Sequence, residues 1–287
     1  MKPAKFTYAC PQSVEETLSL LAQGDEGTKI LAGGQSLVPL LNLRMAEVSA
    51  LVDVNRLTTL SFIKREDRIL KVGALTRHRQ LEVSPEVRAS HPLLAHAAGE
   101  VGHLAIRNRG TIGGSLVHAD PAAEWPLSAV TLDAQFLVRS QSGSRVIAAR
   151  DFFLAPLTTT IEPNELLCEI HFPIPVSSVV WGFQEFCRRP GDFALAAVAC
   201  QLTLDQNKTC TAASLAVGGA HSTPLYIADV EKTLTGSRGE EDALITVAET
   251  AANAVEPPSD VHGSSEFRRQ MVRVLTVRAL KEAWGKA

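Results

Sequence analysis

Two stretches decide the reading: Ile30-Leu31-Ala32-Gly33-Gly34-Gln35-Ser36-Leu37 and Arg109-Gly110-Thr111-Ile112-Gly113-Gly114-Ser115. Each follows a short strand or turn and leads into helical sequence. A phosphate held by backbone N–H groups needs the main chain close to it. Glycine permits that approach because it lacks Cβ and reaches positive φ. A helix starting behind the loop adds a favourable field for an anion. Either glycine pair alone is a weak signal, since such pairs are frequent in ordinary turns. Two of them, about eighty residues apart, can close on one pyrophosphate. Neither fits the G-x-G-x-x-G of the doubly wound dinucleotide-binding sheet, and no Gly-Lys-Ser/Thr follows as in a P-loop. A dinucleotide site here belongs to another fold.

Outward from the loops, helix and strand signals alternate, as in an α/β or α+β protein. Ser13-Val14-Glu15-Glu16 reads as a capping box opening a helix that Gly24 ends. Residues 28–31 and 51–54 read as short strands, and Ser36 as the cap of a segment running through Leu43. Residues 60–74 and 135–148 have the pattern of hairpins. Helices are expected over 92–102 and from Ala122 to about Leu132, and a strand over 166–172. Pro173-Ile174-Pro175 marks a boundary. Beyond it three strands (179–186, 194–204, 209–217) are followed by helices. The last helix starts near Ser264, with Phe267, Met271, Val274 and Leu275 as its apolar face.

Composition narrows the function. Of 287 residues, 45% are apolar and 21% charged, which allows a large core. The net charge of −3 and the scattered basic residues argue against a nucleic-acid surface. The most apolar stretch, Phe193 to Leu204, is too short for a membrane span. The N-terminus lacks the apolar core of a secretory signal. Cys10, Cys168, Cys187, Cys200 and Cys210 are odd in number and include no C-x-x-C, which disfavours a disulfide framework, a zinc ribbon or an iron–sulfur ligand set. A cytoplasmic protein with reduced, buried thiols is expected. Neither a catalytic triad nor a metal-ligand cluster can be read, so the catalytic and metal sets are empty. His103 and His118, near the second loop, are expected to be structural.

The two loops resemble the paired FAD loops of the medium subunit of the xanthine dehydrogenase / carbon monoxide dehydrogenase family, the molybdenum hydroxylases. The resemblance runs over the whole chain, through Asn42-Leu43-Arg44, Ala119-Asp120-Pro121-Ala122-Ala123, Gly191-Asp192-Phe193-Ala194 and Ser265-Glu266-Phe267-Arg268-Arg269. It implies an α+β fold. A two-part FAD-binding α/β domain of the PCMH, vanillyl-alcohol-oxidase-like kind would occupy 1–176, with subdomains at about 1–57 and 58–176. A small C-terminal domain of a three-stranded antiparallel sheet and helices would occupy 177–287.

The resemblance further implies that Ile30 to Leu37 and Thr111, Ile112, Gly113, Gly114 and Ser115 hold the FAD pyrophosphate and ribityl chain. Val101 matches a position near the adenosine. Glu124 matches one, usually Asp, that hydrogen-bonds the cofactor. Leu167 matches one that packs near it, and Phe193 one beside the isoalloxazine. Gln35 stands where the carbon monoxide enzymes have His, and Gln184 near a position that is Lys in some members. Arg188 to Asp192 reads either as a loop over the flavin that gates its acceptor or as a solvated turn. The implied role is electron transfer from [2Fe-2S] clusters of a small partner subunit, through this chain's FAD, to an external acceptor. Hydroxylation would occur at a molybdopterin cofactor on a large subunit, within a dimer of three-subunit units. The alternatives are a self-sufficient FAD-dependent oxidase or dehydrogenase of the same fold, which needs its own base in a cap domain, and a non-catalytic assembly protein. The substrate is not legible in this chain.

Overall fold

The computed structural model describes residues 2–177 and 179–287. The chain opens with a small parallel sheet. β1 (Thr7–Ala9), β2 (Thr28–Leu31) and β3 (Ala50–Asp53) lie in the order β1-β3-β2, connected through α1 (Val14–Gln23) and α2 (Leu37–Asn42). α1 forms as its cap dictates. Ser13 Oγ accepts from the Glu16 N–H at 3.0 Å, and the Glu16 carboxylate accepts from the Gln12 N–H at 2.7 Å. Val14, Thr17, Leu18 and Leu21 form its buried face. The expected cap at Ser36 is not made. Capping needs an extended residue, whereas Ser36 is already helical at φ −101°, ψ −50°.

The second part is an antiparallel sheet with helices packed against it. β4 (Ile63–Glu66) and β5 (Ile69–Gly73) form one hairpin, turning at Asp67 with φ +52°. β6 (Gln135–Ser140) and β7 (Gly143–Ala148) form the other. Between them run α3 (His78–Val83), α4 (Pro85–Ser90), α5 (Pro92–Glu100), α6 (Leu104–Arg109), α7 (Ile112–His118) and α8 (Glu124–Thr131). After α9 (Ala149–Phe152) and the small ladder of β8 (Phe153–Ala155) with β9 (Thr158–Thr159), β10 (Leu166–Pro173) inserts between the hairpins. The sheet order is β4-β5-β10-β6-β7. α8 starts at Glu124, later than the sequence suggests, because the Asp120 carboxylate accepts from the Ala122 N–H at 2.9 Å and holds the chain in a turn.

β11 (Val179–Phe186), β12 (Ala196–Leu204) and β13 (Cys210–Gly218) form an antiparallel meander. A fourth strand, β14 (Leu225–Tyr226), extends the expected three; two residues are too few to show a period of two. α10 (Val230–Leu234), α11 (Glu241–Ala254) and α12 (Ser265–Gly285) follow. β12 is buried on both faces. Ala196, Val198, Cys200 and Leu202 join the core beneath α11 and α12, while Ala197 and Ala199 join the core of the preceding sheet and helices. α8 packs against β12 and β13, and every residue from Trp125 to Thr131 is buried. The last sheet therefore shares a core with the residues before it.

α12 shows a corrected face. Its buried residues are Arg268, Val272, Leu275, Thr276, Ala279, Leu280 and Ala283. Phe267 is instead exposed, against the edge of Phe186 at 5.8 Å. An arginine occupies the first buried turn, so the hydrophobic pattern misplaces the stripe. Among the described residues, no helix is long and apolar enough to cross a membrane.

Candidate functional site

The first loop leaves the C-terminal end of β2, an edge where parallel sheets commonly receive ligands. Gly34 takes φ +71°, a left-handed value that glycine adopts without strain. The Gln35 side chain folds back, its Nε2 donating to Gly33 O at 3.0 Å. Among the described residues, no backbone N–H from Gly33 through Leu37 has a protein acceptor; the next, Val38, donates to Gly34 O at 3.1 Å. Consecutive N–H groups without partners form a concave site for anionic oxygens. Gln35 and Ser36 are exposed, and Ile30 to Gly34 and Leu37 are half-buried, so this row is reachable.

The second loop differs. The Ile112 N–H donates to Thr76 O at 3.0 Å and the Gly113 N–H to Ala74 O at 2.9 Å. The Gly114 N–H donates to Thr111 Oγ1 at 3.1 Å, the cap of α7. A Cβ on Gly113 would sit 2.6 Å from Ala74 Cβ and 2.7 Å from Ala74 O. Thr111, Ile112 and Gly113 are buried; Gly114 is exposed and Ser115 half-buried. This loop therefore offers a ligand the faces of Gly114 and Ser115, with its central N–H groups already bonded. The two loops touch: a Cβ on Gly33 would lie 2.5 Å from Arg109 O and 2.7 Å from Gly110 Cα.

His78 supports the second loop, and sequence reasoning passed over it. Its N–H donates to Gly110 O at 3.1 Å, and its Nδ1 accepts from Trp125 Nε1 at 2.9 Å. The acceptor role makes the imidazole neutral, and burial, with Arg77 and Arg107 behind it, pushes its pKa down to about 3. Its nearest clue was position alone, one turn from a glycine loop in the fold but some thirty residues away in the chain.

Glu124 is the first residue of α8 and is half-buried. Burial pushes its carboxyl up to about 8, with Glu185, Glu100 and Asp120 adding repulsion. Burial likewise pushes Glu185 up to about 7, helped by Glu100. Residues 120–122, the 188–195 loop, residues 219–222 and the stretch from Glu256 to Arg268 wall an adjoining cleft of about 970 Å³. Phe193 stands at its rim, 69% exposed. Arg188 donates to His262 O at 2.9 Å, and His103 packs against Gly191. Val101 is buried at the end of α5, and Leu167 is buried within β10 opposite Val138. Among the sites expected from sequence, the fold thus brings the two loops together. Phe193 lines the cleft with residues 120–122, apart from both glycine loops, and Leu167 stays inside the core.

Residues 4–175 match the family model described as the FAD binding domain in molybdopterin dehydrogenase, and residues 181–283 match the CO dehydrogenase flavoprotein C-terminal domain. Subunit alpha of the 6-hydroxypseudooxynicotine dehydrogenase complex of Paenarthrobacter nicotinovorans is 41% identical, over 100% of this chain and 97% of that one. The glyceraldehyde dehydrogenase medium chain of Sulfolobus acidocaldarius is 38% identical, over 98% and 99%. Among solved structures, a carbon monoxide dehydrogenase from Hydrogenophaga pseudoflava superposes with a TM-score of 0.97 at 34% identity, covering 100% of both chains.

Proposed function

This chain belongs to the FAD-binding medium-subunit family of the molybdenum hydroxylases, and from that membership we propose its place in an electron-transfer assembly. Electrons enter from [2Fe-2S] clusters of a small partner subunit and leave to an external acceptor, while a large partner subunit hydroxylates the substrate at its molybdenum cofactor. Bound FAD supplies the chemistry that joins one-electron to two-electron transfer.

The chain's own residues bind and orient. The N–H groups of Gly33 to Leu37 would hold the diphosphate, with Gly114 and the Ser115 hydroxyl of the touching second loop on its other side. A protonated Glu124 would donate a hydrogen bond to the cofactor, and Phe193 would lie beside its isoalloxazine. Val101 and Leu167 add apolar surface from behind. The row of free N–H groups against a second, self-satisfied glycine loop is the observation that carries this reading. Relatives named for a nicotine derivative, an aldehyde and carbon monoxide share this one flavoprotein architecture. That spread supports a substrate chosen on another subunit. The assembly is a cytoplasmic dimer of three-subunit units.

Native mass spectrometry of the tagged chain, drawn gently from its host, tests the proposal. A multi-subunit assembly containing FAD, iron–sulfur clusters and a molybdopterin is expected. A lone flavoprotein that turns over an organic substrate overturns it.

A further inference from the structure

We propose that Asn55 and Arg77 are positioning residues: together they form a polar strut that locks the two glycine loops in register and aims the Gly33 N–H at the cofactor diphosphate. The inference rests on the FAD reading above and adds to it two residues outside both loops.

Asn55 lies just beyond β3. Its Nδ2 donates to Ala32 O at 2.7 Å and to Asp53 Oδ1 at 2.7 Å. Asp53 is held in turn by the Tyr8 hydroxyl, donating to Oδ2 at 2.7 Å. Arg77 Nη2 donates to Asn55 Oδ1 at 2.8 Å, and Arg77 Nη1 donates to Arg109 O. The strut therefore ends on the carbonyl just before Gly33 and on the carbonyl just before Gly110. A trans peptide is planar, so its C=O and N–H point in opposite directions. Fixing Ala32 O against Asn55 turns the Gly33 N–H away from the strut, and that N–H heads the unpartnered row. Arg109 O is also the atom a Cβ at Gly33 would strike, so the strut holds the two loops at the point where they touch.

Charge points the same way. Among the described residues, Arg77 has no salt bridge, and the Arg109 guanidinium has neither a salt bridge nor a hydrogen bond. Burial and the neighbouring Arg109 charge both lower the basicity of Arg77. Asp53 offsets part of this, and a diphosphate at the loops would add further anionic charge for Arg77 and Arg109.

The test uses the flavin-stripped full chain with FAD and ADP as probes. Wild type is compared with Asn55→Ala, Arg77→Lys and the double variant. Each single change is expected to weaken both FAD and ADP by the same factor, about ten- to a hundredfold, the range for a lost hydrogen bond to a charged group. The double variant should be no weaker than the worse single, because both act through one strut. The phosphorus NMR signals of bound FAD should move towards those of free FAD. Arg77→Lys keeps the charge and one bond, so it carries the test if Asn55→Ala does not fold. Unchanged affinity and phosphorus signals in a folded variant overturn the strut. Failure of wild type to bind FAD overturns the FAD reading itself and the strut with it.

Discussion

Ala32-Gly33-Gly34-Gln35-Ser36 and Thr111-Ile112-Gly113-Gly114-Ser115 are near copies in composition, yet the fold uses them in opposite ways. In the first, the N–H groups from Gly33 to Leu37 are left open. In the second, Ile112 and Gly113 are bonded to Thr76 and Ala74, and Gly114 to the cap of its own helix. Gly33 has no side chain because another loop lies against it; Gly113 has none because a strand end does. A glycine pair thus reports that something comes close, and the partner's identity decides between binding site and scaffold. The second loop is the anvil on which the first is set, and the strongest experiments separate these roles.

The largest effect is expected at Gly113. Valine there would drive Cβ into Ala74, and overpacking against backbone in a buried site should destabilise by about 3 kcal/mol or more. Urea denaturation of the flavin-free chain measures this, and flavin should be lost along with the fold. Gly33→Val should do something different. It pushes the loops apart at Arg109 O, in a half-buried position, so FAD retention should be lost while the denaturation midpoint falls less than for Gly113→Val. Equal midpoints for the two variants, or full flavin occupancy in Gly33→Val, would erase the distinction between site and scaffold.

His78 sharpens the scaffold side through pH. In the folded chain it stays neutral down to about pH 3, whereas in the unfolded chain it titrates near its ordinary ~6.5. Between those values the unfolded state binds the extra proton. Stability from this residue is therefore complete above about pH 6.5 and falls as pH drops towards 3, by at most ~1.4 kcal/mol per unit. His78→Gln should flatten that acid slope, as followed by denaturation at several pH values. An unchanged slope would remove His78 from the support of the second loop.

Glu124 makes the same kind of test on the binding side, with the opposite sign. Its folded pKa of about 8 lies above the ordinary 4.5, so the folded state holds a proton that the unfolded state releases between those values. Its contribution to stability thus declines as pH rises from about 4.5 to 8. Glu124→Gln should raise the melting temperature of the flavin-free chain at pH 8 and leave it nearly unchanged at pH 4. A uniform shift at both pH values would mean that folding leaves the carboxyl's affinity for its proton unchanged.

Much of this was legible in the order of residues. Ser13 and Glu16 made the first cap as their spacing demands, and both early hairpins turned where the pattern broke. The glycine loops could be picked out, and with them the family, since these signals depend on neighbours a few positions apart. What failed had distant causes. The face of α12 slid because Arg268 reaches Leu195 O at 2.8 Å and Gly219 O at 3.1 Å, and no helical periodicity foresees a buried arginine. The strut residues Asn55 and Arg77 sit between motifs, in stretches to which the sequence pattern assigns no element.

By itself, then, the sequence determined the first and last helices, most of the longer strands and the two places where backbone must come close, because propensity, capping and glycine chemistry are local, while β1, α3, α4 and α6 emerged only in the fold. Only the tertiary structure decided which loop keeps its N–H groups free, which carboxyl retains its proton and which face of the last helix is buried. Those outcomes turn on Ala74 against Gly113, Glu185 and Glu100 beside Glu124, and Leu195 over Arg268. Hydrogen bonding and desolvation act through space, between residues that the chain holds far apart.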